Sequence, residues 1–228
     1  MKKVLFTLAT IFASLRLGSC SSSQEKENAN ANELGEQYAI NFSAETVNPK
    51  QGKKVLIISA SPRKEGNTDL LADEFAKGAS EAGAKVEKVF LGDYDIKFYE
   101  EPAYIEGQPM RFPQDDAQMI TDKMVDADVI VLASPVYFMN INGQMKTLID
   151  RTFSRFMEIK DKEFFYITAC ADPLESTAMR AIDGFRGFVM CLPNPTERGM
   201  VMAIGMGRKG GVKGSKFMTQ AYELGKKV

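Results

Sequence analysis

From Lys53 onward the chain alternates two hydrophobic rhythms. Short unbroken apolar runs, such as VLIISA from Val55 and VIVLAS from Val129, are separated by longer stretches in which apolar residues recur at helical spacing. The runs predict strands buried on both faces at about 54–60, 85–91, 128–133, 163–169 and 200–204. The helical spacing predicts helices at about 68–82, 115–125, 142–155, 173–190 and 214–226. Such alternation implies an α/β fold, a parallel sheet covered on both faces by helices and joined by right-handed crossovers. The connection after the second strand, about Gly92 to Gln114, is long and carries Tyr94, Phe98, Tyr99, Tyr104 and Phe112. A connection of that length is either a lid or a loop packed by its own aromatics.

Ahead of this body the pattern changes. Two lysines open an apolar run from Val4 to Leu15, too short to span a bilayer and suited to an export signal. The following LGSC, Leu17 to Cys20, resembles the lipobox of bacterial lipoproteins, although Arg16 departs from the usual pattern. The expected organisation is a signal peptide at 1–19, a lipidated Cys20 with a flexible tether at 20–52, and a folded domain at 53–228. Loss of Lys2, Lys3 and Arg16 would take the net charge from -1 to -4. The Ser-, Asn- and Glu-rich tether has too few large apolar residues to repay the entropy of ordering, and as a coil would span on the order of 30 Å. Within it YAINFSA, Tyr38 to Ala44, could add a marginal strand.

Composition narrows the chemistry. The chain has no His, which excludes Ser-His-Asp and Cys-His triads and most zinc sites. Its three cysteines, Cys20, Cys170 and Cys191, form no CxxC motif and no disulfide framework. Cys170 and Cys191 fall near opposite ends of the predicted fourth helix and should not pair. Near-balanced charge without a sustained basic patch argues against nucleic acid as a partner. No metal site is expected.

Two strand-to-loop-to-helix segments remain. In SASPRKEGNT, from Ser59, the loop sits between a buried strand and a helix N-terminus, where backbone N–H groups and the helix dipole favour an anion. Ser61 and Thr68 offer hydroxyls, Arg63 a planar guanidinium, Gly66 a tight backbone, and Asn67 a helix cap. The segment is neither a P-loop nor G-x-G-x-x-G. In a sheet of order 2-1-3-4-5, the loops after the first and third strands converge at the topological switch point. The second segment, SPVYFMNINGQMKTLIDR from Ser134, would there supply an apolar and aromatic wall for a flat heteroaromatic ring.

Together these segments resemble the two signatures of the NADPH-dependent FMN reductase and iron-sulfur flavoprotein-like group of flavodoxin-fold proteins. The resemblance covers nearly all of Lys53 to Val228. It implies a flavodoxin-like doubly wound sandwich with a five-stranded sheet. By that similarity Ser61, Arg63, Asn67 and Thr68 would bind the FMN phosphate, and Pro135, Val136, Tyr137 and Phe138 would contact the isoalloxazine ring. TACADP, from Thr168, takes the place of a third FMN-contacting loop without its Gly-rich form, and carries Ala169 and Cys170 into the site. Cluster-bearing relatives place closely spaced cysteines after the second strand, where this chain has IKFYEEPAYIEGQ and no thiolate ligand for iron and sulfur.

The resemblance implies an FMN-dependent enzyme passing hydride from NAD(P)H to a quinone, a nitro or azo compound, or free flavin, with the cofactor carrying the chemistry. No side chain is singled out as catalytic. The alternative is a membrane-tethered, flavodoxin-like electron carrier, favoured by the scarcity of NAD(P)H outside the cytoplasm. The expected location is the bacterial cell envelope, lipid-anchored on the periplasmic side or at the outer membrane. The expected partners are a small-molecule acceptor and the membrane, with room for a homodimer. GRKGGVKGSK, Gly207 to Lys216, could offer Arg208 and Lys209 to a nicotinamide 2′-phosphate or be a solvated turn.

Overall fold

The apolar runs fold as the middle of one parallel sheet. This computed structural model describes residues 41–42, 52–100 and 113–228. The strands are β1 (Asn41–Phe42), β2 (Lys54–Ser59), β3 (Lys85–Phe90), β4 (Val129–Tyr137), β5 (Asn140–Ile141), β6 (Glu163–Ala169) and β7 (Thr196–Ala203). The helices are α1 (Asn67–Glu81), α2 (Ala117–Asp126), α3 (Gly143–Arg151), α4 (Glu175–Val189) and α5 (Lys216–Gly225). The chain divides into two units, Met1–Gln37 and Tyr38–Val228, and the described residues all belong to the second. The expected signal peptide and Cys20 lie outside them. No helix among the described residues is long and apolar enough to cross a membrane.

Strand order is β1-β7-β6-β4-β2-β3, all parallel. The five expected strands therefore take the 2-1-3-4-5 order of a flavodoxin-like sheet. Two additions go beyond it: β1 pairs with the start of β7, and β5 pairs antiparallel with the end of β4. The Tyr38–Ala44 run thus contributes a strand, so part of the 20–52 segment joins the sheet. Strands β2, β4 and β6 are buried along most of their length. Edge strand β3 alternates instead, turning Lys85, Glu87 and Val89 one way and Val86, Lys88 and Phe90 the other.

Each sheet face carries its own core. Leu56, Ile58, Ile130, Leu132, Phe164 and Tyr166 pack under α2, α3 and α4, with Tyr166 stacked on Phe185. Val55, Ile57, Val131, Phe165 and Val201 pack under α1 and α5, where Phe75 meets Phe165 edge-on at 5.2 Å. Burying each such side chain is worth about 1.5–3 kcal/mol. Helices α1 and α5 approach backbone to backbone. A Cβ on Gly78 would lie 2.1 Å from the Tyr222 carbonyl oxygen, and one on Gly225 would lie 2.2 Å from that of Phe75.

The long connection after β3 is held at both ends. Arg151, at the last turn of α3, donates to the Lys97 carbonyl at 2.9 Å and the Pro113 carbonyl at 3.1 Å. It also forms a two-toothed ion pair with Asp115, both side chains being almost fully buried. Asp115 in turn accepts from the N–H groups of Lys97 and Ala117. Tyr94 and Ile96 pack against the core, Phe98 is exposed, and Tyr99 meets Phe153 edge-on. Tyr104 and Phe112 lie outside the described residues. Helix α3 ends earlier than its spacing implies: the Thr152 hydroxyl donates to the Ile149 carbonyl, and the Phe153 N–H bonds to Asp150 instead.

Burial raises the Asp115 carboxyl, but hydrogen bonds from Arg151, Lys97 and Ala117 outweigh it and hold the group below its ordinary range. The folded chain then binds fewer protons here than the unfolded one. The stabilisation is complete above the ordinary carboxylate range and is lost as pH falls below about 4. Asp115→Asn leaves Arg151 buried without its counter-charge and should cost about 3 kcal/mol in urea denaturation at pH 7. The same variant should lose less stability than the parent chain between neutral and acid pH.

Candidate functional site

The carboxyl ends of β2, β4, β6 and β7 open at one edge of the sheet, and the loop from β2 to α1 is built largely from its own polar atoms. Ser61 Oγ donates to the Arg63 carbonyl at 2.8 Å, and the Gly66 N–H donates to the same oxygen at 2.9 Å. A Cβ on Gly66 would sit 2.4 Å from Ser61 Oγ, so space, not dihedral freedom, demands glycine there. The left-handed residue is Glu65, at φ 57°. Its N–H donates to Asp69 Oδ2 at 2.9 Å, while Asp69 Oδ1 accepts from Ser59 Oγ and pairs with Lys88 at 2.7 Å. An acid in the first turn thus shapes the loop, its charge neutralised from β3.

Gly66, not Asn67, is the N-cap of α1, and no side chain caps this helix. The first backbone bond of α1 runs from the Leu70 N–H to Gly66, leaving the N–H groups of Asn67, Thr68 and Asp69 ahead of it. The hydroxyl of buried Thr68 and the guanidinium of exposed Arg63 have no partner among the described residues. A turn of free donors, one exposed guanidinium and a glycine-cleared floor suit a phosphate monoester. Ser61 is at the site, but its proton is used inside the loop.

The second segment departs from expectation. Strand β4 does not stop at Ala133; it continues through Ser134, Pro135, Val136 and Tyr137 and turns back as a hairpin into β5. The two-residue turn is Phe138-Met139, at φ 47° and 60°, where both residues are left-handed without being glycine. Phe138 is fully exposed and Tyr137 and Met139 are about half exposed. The register places Pro135 opposite Ala169.

Asn142 joins the two loops. Its side-chain oxygen caps α3 by accepting from the Met145 N–H at 3.2 Å. Its amide donates to the Ala60 carbonyl at 2.5 Å and to Gln144, and its backbone N–H donates to Ser134 Oγ at 3.0 Å. The Ala60 N–H in turn donates to the Ala133 carbonyl at 2.8 Å. Asn142 and Ser134 are almost completely buried. Sequence reading overlooked Asn142 as a connector, although an Asn ahead of a helical pattern is a cap signal; its bond to Ala60 has no local signature.

The third and fourth loops lie alongside. The Cys170 N–H donates to the Ala203 carbonyl and the Cys170 carbonyl accepts from Met206, so this backbone is committed to the sheet. Its thiol donates to the Asp172 carbonyl at 3.2 Å, and burial, with Asp172 adding to it, pushes the thiol up and keeps it protonated. Cys191 is exposed, and both thiols are free. Asn67 turns to the loop after β7, donating to the Met206 and Arg208 carbonyls at 2.7 and 2.8 Å and accepting from the Val212 N–H. The sequence-identified residues therefore share one edge of the sheet, with an anion-seeking turn beside an exposed aromatic hairpin.

The fold is that of a flavodoxin-like protein, with the β2–α1 turn and the β4–β5 hairpin at its switch point. Residues 53–222 match the family described as NADPH-dependent FMN reductase, and the chain belongs to that family. It is 38% identical over 99 residues to iron-sulfur flavoprotein MJ1083 of Methanocaldococcus jannaschii, covering 43% of this chain and 51% of that one. It is 30% identical over 98 residues to a Bacillus subtilis protein provisionally named NAD(P)H-dependent FMN-containing oxidoreductase YwqN, covering 43% and 51%. The matched segment thus spans about half the length of these relatives. Among solved structures, an NAD(P)H:quinone oxidoreductase from Methanothermobacter marburgensis aligns with TM-score 0.57 at 19% identity, covering 77% of this chain and 96% of that one. At that identity the likeness concerns the fold.

Asn142→Ala removes a helix cap and leaves the buried Ala60 carbonyl without its donor. Chemical denaturation should show a loss of about 2–3 kcal/mol, and Asn142→Ser, which can still cap, about half of it.

Proposed function

We propose that the domain binds FMN where the β2–α1 loop meets the β4–β5 hairpin and acts as an NAD(P)H-dependent oxidoreductase toward a small planar acceptor. The observation that supports this reading is the Asn142 network, which ties the β2–α1 turn, with its unpaired N–H groups, to an exposed aromatic hairpin. The residues present suit the cofactor: Gly66 clears the loop floor, and the α1 N–H groups, Thr68 and Arg63 can receive the phosphate. Lys88 cancels the charge of Asp69, which would otherwise repel that anion. Pro135, Val136, Tyr137 and Phe138 would contact one side of the ring.

Bound FMN would supply the redox chemistry, a two-electron passage from the nicotinamide to the acceptor with a solvent proton completing the balance. Acid-base work by His is absent because the chain has none. The protein's part is to hold and orient, and the exposed Phe138 and Met139 give an apolar rim on which a flat acceptor can stack. Flavin is the sole redox centre in this reading, since the sequence has no cysteine between Cys20 and Cys170 to ligate a cluster. Export and acylation at Cys20 would place this chemistry at the cell envelope, and the LGSC segment after a short apolar run supports that placement.

Anaerobic mixing of the FMN-loaded chain with NADH or NADPH should bleach the flavin absorbance, and a quinone or azo dye should restore it. Failure of both nicotinamides to bleach bound flavin would point to an electron carrier instead. Iron stoichiometric with protein after anaerobic purification would overturn the single-centre reading. For the N-terminus, mass spectrometry of the native protein should find a diacylglyceryl-modified Cys20 at the start of the mature chain; an intact Met1 would refute export.

A further inference from the structure

The loop between β7 and α5 carries a concentration of charge that the flavin site does not use. From Gly205 to Tyr222 the sequence has no acidic residue, yet it contains Arg208, Lys209, Lys213 and Lys216. Arg208, Lys209 and Lys213 are exposed and make no ion pair among the described residues. Many basic side chains elsewhere are matched: Lys53, Lys54, Lys88, Lys123, Arg151, Arg155, Arg186 and Arg198 each pair with a carboxylate.

The loop is also fixed in place beside the phosphate-type turn. Asn67, the first residue of α1 and almost wholly buried, gives both its amide hydrogens to the Met206 and Arg208 carbonyls. The Met206 and Gly205 N–H groups bond to Cys170 and Asp172 in the loop after β6. The close approach of α1 and α5 at Gly78 and Gly225 holds the helix that follows the loop against the helix that follows the turn. An unpaired Arg-Lys step is thereby anchored, through its backbone, next to the N-terminus of α1.

We infer that Arg208 and Lys209 form a second anion subsite that takes the 2′-phosphate of NADPH and so selects NADPH over NADH. The inference rests on the oxidoreductase reading above. A phosphate monoester dianion matches the planar fork of Arg and the point charge of Lys, and NADH differs from NADPH in lacking that group. The FMN phosphate has its own donors in the α1 turn, so the loop's cations remain for the co-substrate.

The test compares the full FMN-loaded chain with its Arg208→Ala/Lys209→Ala variant, using 2′,5′-ADP as a binding probe in calorimetry and both nicotinamides in steady-state kinetics. Both side chains are exposed, so the variant should unfold at the parent temperature. Its affinity for 2′,5′-ADP and its kcat/KM for NADPH should each fall roughly tenfold, the effect of losing a charge-assisted contact. Its kcat/KM for NADH should stay level. No binding of 2′,5′-ADP to the parent chain, or equal losses for NADPH and NADH, would overturn the subsite. Weaker FMN retention with riboflavin binding unaltered would reassign the loop to the flavin phosphate. If neither nicotinamide reduces the flavin, the oxidoreductase reading fails, while 2′,5′-ADP binding still decides the subsite.

Discussion

The candidate site depends on one buried side chain, that of Asn142. Loops at the end of a parallel sheet are separate excursions of the chain, and strand pairing alone stops at the last ladder bond. Asn142 extends that order past the sheet: its amide holds the end of β2, its backbone N–H holds Ser134 on β4, and its carbonyl oxygen starts α3. Ser134 Oγ lies 2.8 Å from the Pro135 carbonyl and 3.1 Å from Asn142 Oδ1, with one proton to share between them. In a buried setting each of these groups would be costly to leave unpaired, so the network favours a single loop arrangement.

From that fixed separation follow two unlike surfaces side by side. On the β2 side, polar atoms turn inward to shape the loop, and the remaining N–H groups of α1 face the opening with Arg63 free to close over an anion. The acid there, Asp69, is a structural brace: it orders the left-handed Glu65 and is matched by Lys88. On the β4 side, the hairpin presents its apolar residues outward. Left-handed backbone at Phe138 and Met139 costs of order 1–3 kcal/mol at each, and the exposed rings add a cost of their own. The pairing of Asn140 and Ile141 with β4, with Ile141 packed against the core, holds this turn in place.

The family relationship sharpens what is particular to this chain. Its named relatives include iron-sulfur flavoproteins, yet this chain has no cysteine between Cys20 and Cys170, the long connection after β3 included. The same connection is instead clamped at its base by the buried Arg151–Asp115 pair. Arg151 closes the second signature, on the helix that Asn142 begins, so one helix both positions the hairpin and anchors the connection beside it.

Sequence alone determined the sheet, because strands buried on both faces must be written as unbroken apolar runs, and their alternation with helical spacing leaves few ways to connect them. It also determined the turn after β2, whose glycine and small polar residues are local requirements. It misjudged Asn67, which reads as a cap because a cap needs only its neighbours; in the folded chain Gly66 takes that place and Asn67 reaches residues some 140 positions away. The hairpin at Phe138-Met139 was equally hidden, since no turn rule selects those residues at positive φ, and the pairing of Asn140 and Ile141 with β4 is what imposes it. Asn142 to Ala60, Asp69 to Lys88 and Arg151 to Asp115 are likewise bonds between distant segments. Local spacing encodes which elements form; only packing, which brings remote side chains within hydrogen-bond reach, decided which of their polar residues build the site.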